Sequence, residues 1–163
     1  MLEKIYKTNS EEETYSFGQA LGQILSQGDV LALQGDLGAG KTTLTHGIAR
    51  GLGIETPVSS PSFTLLFEHP IGTRGMSLYH FDAYRLEDEM EWYDAGFMDY
   101  FNDSGVAVIE WADRIKNVLP ENTLWLFIES NLSEPKQRKF RLLISEGLSE
   151  KVFVLEKLAA WEI

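Results

Sequence analysis

The sequence predicts an α/β fold, a three-layer sandwich with a mixed, mainly parallel central sheet, built as a single domain over residues 1–163. Three observations predict it. Short apolar runs suited to buried strands alternate with helical patterns, which places helices on both sides of a sheet with a parallel core. A glycine-rich loop at residues 35–43 sits between one such run and one such helix. Residues 64–68 and 76–82 read as two strands joined by Pro70-Ile71-Gly72-Thr73-Arg74-Gly75, a hairpin that makes the sheet mixed.

Taken in order, Lys4 to Thr8 reads as a first strand. Ser10 with Glu13 three residues on forms a capping-box signature, and Phe17, Leu21, Ile24 and Leu25 then line one face of a helix ending near Gly28. Asp29 to Gln34 is a short apolar run that feeds the glycine-rich loop. Leu44, Ile48 and Leu52 recur every four residues in the helix after it, and Gly51 and Gly53 close that element. Residues 58–64 form a hydroxyl-rich loop in which Pro61 discourages helix. Leu86, Met90, Tyr93 and Phe97 trace one face of a short acidic helix broken near Gly96. Val106 to Ile109 and Leu124 to Ile128 read as buried strands, and Phe140, Leu142 and Ile144 give a further strand one apolar face. The last fifteen residues fit helix and strand equally.

The loop reads Gly35-Asp36-Leu37-Gly38-Ala39-Gly40-Lys41-Thr42-Thr43 and fits G-x-x-x-x-G-K-[ST], the phosphate-binding loop. Glycines let the backbone take positive φ and turn its N–H groups inward into an anion-sized nest. Lys41 supplies a cation for the β- and γ-phosphates of a nucleoside triphosphate, and the Thr42 hydroxyl is placed to ligate Mg²⁺. A glycine-rich turn that binds nothing would carry the same letters. The strand before it and the helix after it, with the positive helix end toward the phosphates, select the binding loop. The predicted sandwich is therefore of the P-loop NTPase kind.

Composition narrows the partners. Fourteen basic against twenty-five acidic residues give a formal net charge of −11. Direct nucleic-acid binding rests on Lys and Arg neutralising phosphates. The densest basic cluster, Lys136, Arg138, Lys139 and Arg141, is split between two faces by strand alternation. No direct nucleic-acid contact is expected; an acidic surface suits docking to a basic protein partner. Without cysteine there is no disulfide and no thiolate chemistry. No apolar run reaches the ~18 residues of a membrane span, and residues 1–7 lack the apolar core of a signal peptide, so no membrane association and a cytoplasmic location are expected.

A phosphate loop needs an acid at a strand end to support Mg²⁺ and a group to position the attacking water. Ligands in such sheets sit at the carboxyl ends of the strands. Glu110 directly follows Val106-Ala107-Val108-Ile109, and Asp82 ends Met76-Ser77-Leu78-Tyr79-His80-Phe81. Either would also serve as a solvated strand-end carboxylate; Glu110 has the better-buried strand. Loop 58–64 reads either as a segment closing over the γ-phosphate or as a turn with local hydroxyl caps. Trp111 reads as core or as a wall of the site. His80 reads as a satisfied strand residue, and His46 and His69 have no metal-ligand spacing.

Four segments together resemble one family. The loop at 35–43, Ser60-Pro61-Ser62-Phe63-Thr64, His80-Phe81-Asp82-Ala83-Tyr84-Arg85-Leu86 and Ile109-Glu110-Trp111 look like the bacterial TsaE (YjeE) ATPases, in order and spacing across roughly residues 10–120. Ser62 departs from the family's usual threonine but keeps the hydroxyl. The resemblance implies an ATPase that assists the threonylcarbamoyl modification of the adenosine beside the anticodon in certain tRNAs. In the family the transfer is made by TsaD working with TsaB, and ATP hydrolysis resets their complex between cycles. The resemblance further implies that Lys41 contacts phosphates, Thr42 and Glu110 hold Mg²⁺, Asp82 supports hydrolysis, and Thr43 and Trp111 lie beside the site. It places the residues near Glu12 and Thr14, together with Arg138, close to the nucleotide base.

Other classes share parts of this pattern. A GTPase switch needs an Asn/Thr-Lys-x-Asp element for guanine, and no such segment occurs. A small-molecule kinase normally carries an arginine-rich lid, whereas residues 112–122 offer only Arg114. A nucleotide-gated binding module, in which hydrolysis is incidental, would share every residue named above.

Overall fold

A computed structural model describes residues 1–36, 38, 40–58, 65–102 and 105–163. Seven strands form one sheet: β1 (Leu2–Thr8), β2 (Val30–Gln34), β3 (Leu66–His69), β4 (Leu78–Asp82), β5 (Val106–Glu110), β6 (Leu124–Ser130) and β7 (Arg138–Ile144). Their order is β1-β7-β6-β2-β5-β4-β3. The central pairs β6–β2, β2–β5 and β5–β4 are parallel, and the flanking pairs β1–β7, β7–β6 and β4–β3 are antiparallel. Only β3 and β7 thus run against the other strands, which makes the sheet mixed and mainly parallel as predicted.

Both faces of the central strands are buried, as parallel pairing with crossover helices requires. Alternation sends Leu31 and Leu33 of β2 and Val106 and Val108 of β5 to one core, with Phe17, Leu21, Leu44 and Ile48 from α1 (Glu11–Ile24) and α2 (Lys41–Gly51). The intervening Val30, Ala32, Ala107 and Ile109 join the opposite core, with Phe81, Trp92 and Ile115. That second layer is built from the short helix α3 (Glu89–Asp94) and 3-10 turns at Phe97–Asn102 and Ala112–Val118.

The helix ends follow their local chemistry. Ser10 accepts from the Glu13 N–H at 3.1 Å, while the Glu13 carboxylate takes the N–H of Asn9, one residue earlier than in a strict capping box. At the other end, Arg74 from the β3–β4 connection donates to the carbonyls of Gly22 and Gly51 at 2.9 Å and of Leu25 at 3.2 Å. One guanidinium therefore closes the C-terminal ends of α1 and α2, where a cation is favoured.

One expectation needs correction, and one alternative left open is decided. On α3, Met90 and Tyr93 are exposed, and Trp92 is the buried side chain, packed on Phe81 at 4.8 Å between centroids. The helix is under two turns long, so a four-residue spacing was too little to locate its inner face, and the larger aromatic took the core. The C-terminal segment, read as helix or strand, is a run of 3-10 turns over Glu146–Trp161. Lys151 anchors it to the end of α1 through Ile24 O (3.0 Å), Ser26 Oγ (2.8 Å) and Asp29 Oδ2 (2.6 Å). Among the described residues no helix is long and apolar enough to cross a membrane.

Candidate active site

β2 runs into the phosphate loop, and α2 leaves it. Gly38 (φ 78°) and Gly40 (φ 97°) both take the left-handed conformation that only glycine adopts without penalty. Gly40 caps α2 without any side-chain hydrogen bond, and the first turn of α2 holds no acid. The contrast with α1 is informative, since α1 satisfies its own N-terminus with Ser10 and carries Glu11, Glu12 and Glu13 in its first turn. The positive end of α2 is left for an anion from outside the helix. Leu37, Ala39 and Ser59 to Thr64 lie outside the described residues, so the two loop positions and the proposed closing segment are not placed.

Lys41 is 7% exposed, and its ammonium bonds to the carbonyls of Gly35 and Asp36, the latter at 3.1 Å. It also lies 4.2 Å from the centroid of the Trp111 ring, a cation–π contact. Burial holds the Lys41 ammonium below its ordinary pKa, while the carboxylates of Glu110, Asp82 and Asp36 push the other way. Thr42 is exposed and Thr43 half-buried on the first turn of α2.

Sheet register brings the acids together. Asp82 and Glu110 are direct cross-strand partners at the carboxyl ends of β4 and β5, and Leu33 of β2 pairs with Glu110 from the other side. Glu110 shares the parity of Val106 and Val108, so it faces the side of the sheet covered by α2. It is 4% exposed, and its Oε2 accepts from His80 Nε2 at 2.7 Å. Burial raises the Asp82 carboxyl above its ordinary value, against the pull of the Tyr84 N–H, which donates to Oδ1 at 2.9 Å; neighbouring Glu110 raises it further.

Trp111 follows Glu110 in the left-handed region, at φ 59° and ψ 39°, and is the only non-glycine residue with positive φ among those described. Such backbone costs on the order of 1–2 kcal/mol. It turns the chain off β5 at once and sets the indole 4.8 Å from the Tyr84 ring, tilted 52° to it, above Lys41. Trp111 therefore lies against Lys41 and also packs on the second core. Arg138 opens β7, where its guanidinium donates to Gly38 O at 3.3 Å and to Pro135 O and Gln137 O at 2.6 and 2.8 Å. A small pocket beside it is lined by Glu11, Thr14, Gly40, Thr43, Lys136 and Arg138. Glu11 forms its wall; Glu12, the neighbour named from the sequence, is exposed and does not line it. The basic cluster is divided between faces, since Arg141 lies over the Phe127 ring on the side away from Arg138.

One residue of the site was missed. His80 is a satisfied strand residue, as read from the sequence, but the group that satisfies it is Glu110. The signal available was its two-residue offset from Asp82, which puts both on one face of β4, but the pairing of β4 with β5 was not legible. Chemically, the group combines loop amides and an ammonium for phosphate oxygens with a hydroxyl and carboxylates for a hard divalent cation.

Comparison with known proteins gives the family and the fold. Residues 8–140 match the family model described as threonylcarbamoyl adenosine biosynthesis protein TsaE. The tRNA threonylcarbamoyladenosine biosynthesis protein TsaE of Bacillus subtilis is 45% identical over 124 residues, covering 76% of each chain. Its counterpart in Nostoc sp. is 42% identical over 149 residues, covering 86% of this chain and 89% of the relative. The crystal structure of Bacillus subtilis YdiB superposes with a TM-score of 0.79 at 33% identity, over 98% of this chain and 95% of that one, and the shared fold is the P-loop sandwich. With the family model spanning most of the chain and relatives at this level of identity, this protein belongs to the TsaE family.

Proposed function

We propose that this protein is a Mg²⁺-dependent ATPase that acts in the cytoplasm in the threonylcarbamoyl modification of tRNA, where hydrolysis of ATP resets a TsaD–TsaB complex. The observation that supports an ATPase most directly is the convergence of Lys41, Asp82 and Glu110 beneath the bare N-terminus of α2. The tRNA role is supported by family membership.

The residues fit magnesium. Thr42 and Glu110 offer hard oxygen donors, and Mg²⁺ characteristically needs only one or two carboxylates when phosphates complete its shell. Among the described residues no cluster of His, Cys, Asp or Glu would hold a metal without such help. The cation would neutralise charge on the β- and γ-phosphates.

The chain's own groups do the rest. Amides of the described loop residues, Gly38 and Gly40 among them, would cradle the phosphates, and Lys41 turns its ammonium from the Gly35 and Asp36 carbonyls to the phosphate oxygens. Asp82 accepts a hydrogen bond from the attacking water. The water oxygen bonds to the γ-phosphorus as the bridge to the β-phosphate breaks, giving ADP and phosphate. Its raised pKa suits Asp82 to receive a proton. Trp111 and Tyr84 shield this end of the site from solvent. The adenine would lie toward Thr14, Thr43 and Arg138, over the small pocket beside the loop, which has to widen to take it. With a net charge of −11, contact with tRNA is left to the partner proteins.

Turnover of ATP measured alone and with a TsaD–TsaB complex tests this reading, with thermal shifts in ATP and GTP beside it. Slow hydrolysis alone, of the ~10⁻⁴ to 10⁻² s⁻¹ found for unaided P-loop GTPases, acceleration by the complex and a larger shift with ATP are expected. Turnover that stays negligible with partners would leave a nucleotide-gated binding module. Fast turnover indifferent to partners would remove the resetting role.

A further inference from the structure

His80 is 1% exposed, on a strand buried on both faces. Its register partner on β5 is Val108, so Glu110 is its diagonal neighbour, two residues further along the same face. The Nε2–Oε2 separation is 2.7 Å. Because a carboxylate oxygen accepts, Nε2 carries the hydrogen. Among the described residues His80 is the only side chain bonded to the Glu110 carboxylate, and His80 Nδ1 has no partner. Among the described residues the imidazole therefore has one hydrogen-bond partner, Glu110.

A glutamate at a strand end can turn about its own side-chain bonds, and a buried carboxylate left unbonded is costly. A single fixed N–H on Oε2 removes both difficulties and leaves Oε1 without a donor among the described residues. We propose that His80 is a positioning residue for Glu110, holding its carboxylate so that Oε1 is presented to the cation that accompanies the nucleotide. This rests on the reading of Glu110 as metal support. Groups that orient a metal-supporting carboxylate from behind commonly matter almost as much as the ligand itself.

The test is fluorescence titration of the full chain with a labelled ATP analogue, in EDTA and across a Mg²⁺ series. His80→Leu keeps comparable bulk without a donor. His80→Gln places an amide N–H near the position of Nε2, and His80→Asn has a polar amide too short to reach Glu110. His80→Leu and His80→Asn should raise the half-saturating Mg²⁺ by ~10–100-fold and leave affinity in EDTA unchanged, with His80→Gln restoring the parent value. If His80→Leu does not fold, the Asn and Gln pair carries the comparison. Equal weakening with and without Mg²⁺ would mean a structural role only and overturn the proposal. An unchanged Mg²⁺ requirement in the His80 variants, with a raised one in Glu110→Gln, would overturn it while sparing Glu110. An unchanged requirement in Glu110→Gln would remove the metal role of Glu110 itself.

Discussion

Replacing Gly18 with alanine should destabilise the protein, although alanine is the better helix former by about 1 kcal/mol. Helices α1 and α2 meet along Gly18 and Gly22 on one side and Gly47 and Gly51 on the other, each pair four residues apart. A Cβ on Gly18 would lie 2.5 Å from the carbonyl oxygen of Leu44 and 3.2 Å from Gly47 Cα and Ile48 N. On Gly22, Gly47 and Gly51 it would meet the backbone carbonyls of Ile48, Tyr15 and Gln19 more closely still. Every obstacle is backbone, so no rotamer change relieves it. Restoring an ordinary C···O approach of about 3.3–3.6 Å requires the helices to part by roughly 1 Å, which loosens Phe17, Leu21, Leu44 and Ile48 together. Overpacking of this kind costs about 1–3 kcal/mol. Taking the upper value for a rigid seam and subtracting the helix gain leaves about 2 kcal/mol, or a Tm lower by about 4–8 °C. Since α2 carries Lys41 and Thr42, ATP turnover should also fall, because a displacement of about 1 Å can cost ~10²-fold in rate. Scanning calorimetry gives the Tm, with Gly147→Ala as control, since nothing lies within 4 Å of a Cβ there. The double variant Gly18→Ala/Gly22→Ala should lose less than the sum of its parts, because the first alanine already separates the helices. A Tm for Gly18→Ala equal to or above the parent's would refute this reasoning, as helix propensity would then outweigh the seam.

Asp82→Asn should raise the Tm at neutral pH while lowering turnover by ~10²–10⁴-fold. Burial lifts the folded-state pKa of Asp82 above its ordinary 3.8, so its stabilising contribution is complete below that value and lost as pH rises through the folded one. The Tm advantage of the asparagine should therefore shrink toward zero in acid, and a constant advantage across pH would show that charge is not its origin. At Trp111, glycine should be more stable than alanine by about 1 kcal/mol, seen as about 2–4 °C in Tm, because only glycine relieves the left-handed backbone. Both should lose the cation–π contact with Lys41 alike, and equal Tm values would mean that the backbone relaxes on substitution.

The sequence by itself determined the features set by neighbouring residues. A strand, a glycine loop and a helix lie within one contiguous stretch from Asp29 to Leu52, and each piece carries its own local cause. Positive φ at Gly38 and Gly40 follows from the loop pattern, and the placement of Glu110 and Asp82 at strand ends follows from where two apolar runs stop. Burial of both faces of β2 and β5 was equally legible, as their runs have no polar alternate. Tertiary structure decided whatever depends on register and on surfaces far apart in the chain. That His80 reaches Glu110 follows from β4 pairing with β5 across a separation of thirty residues. That Arg138 reaches the Gly38 carbonyl depends on β7 returning beside β6, a hundred residues downstream of the loop. Glu11 rather than Glu12 on the pocket wall was set by how α1 packs beside β7 and the loop, and Trp92 rather than Met90 or Tyr93 in the core by how the short helix α3 rotates against its neighbours. The glycine seam belongs here too. Four glycines four apart on two helices fit any helix face; only the packing of α1 on α2 turns them into a place where a methyl group has no room. Periodicity names the face of an element, but what that face meets is settled by strand order and close packing, which no local stretch of sequence encodes.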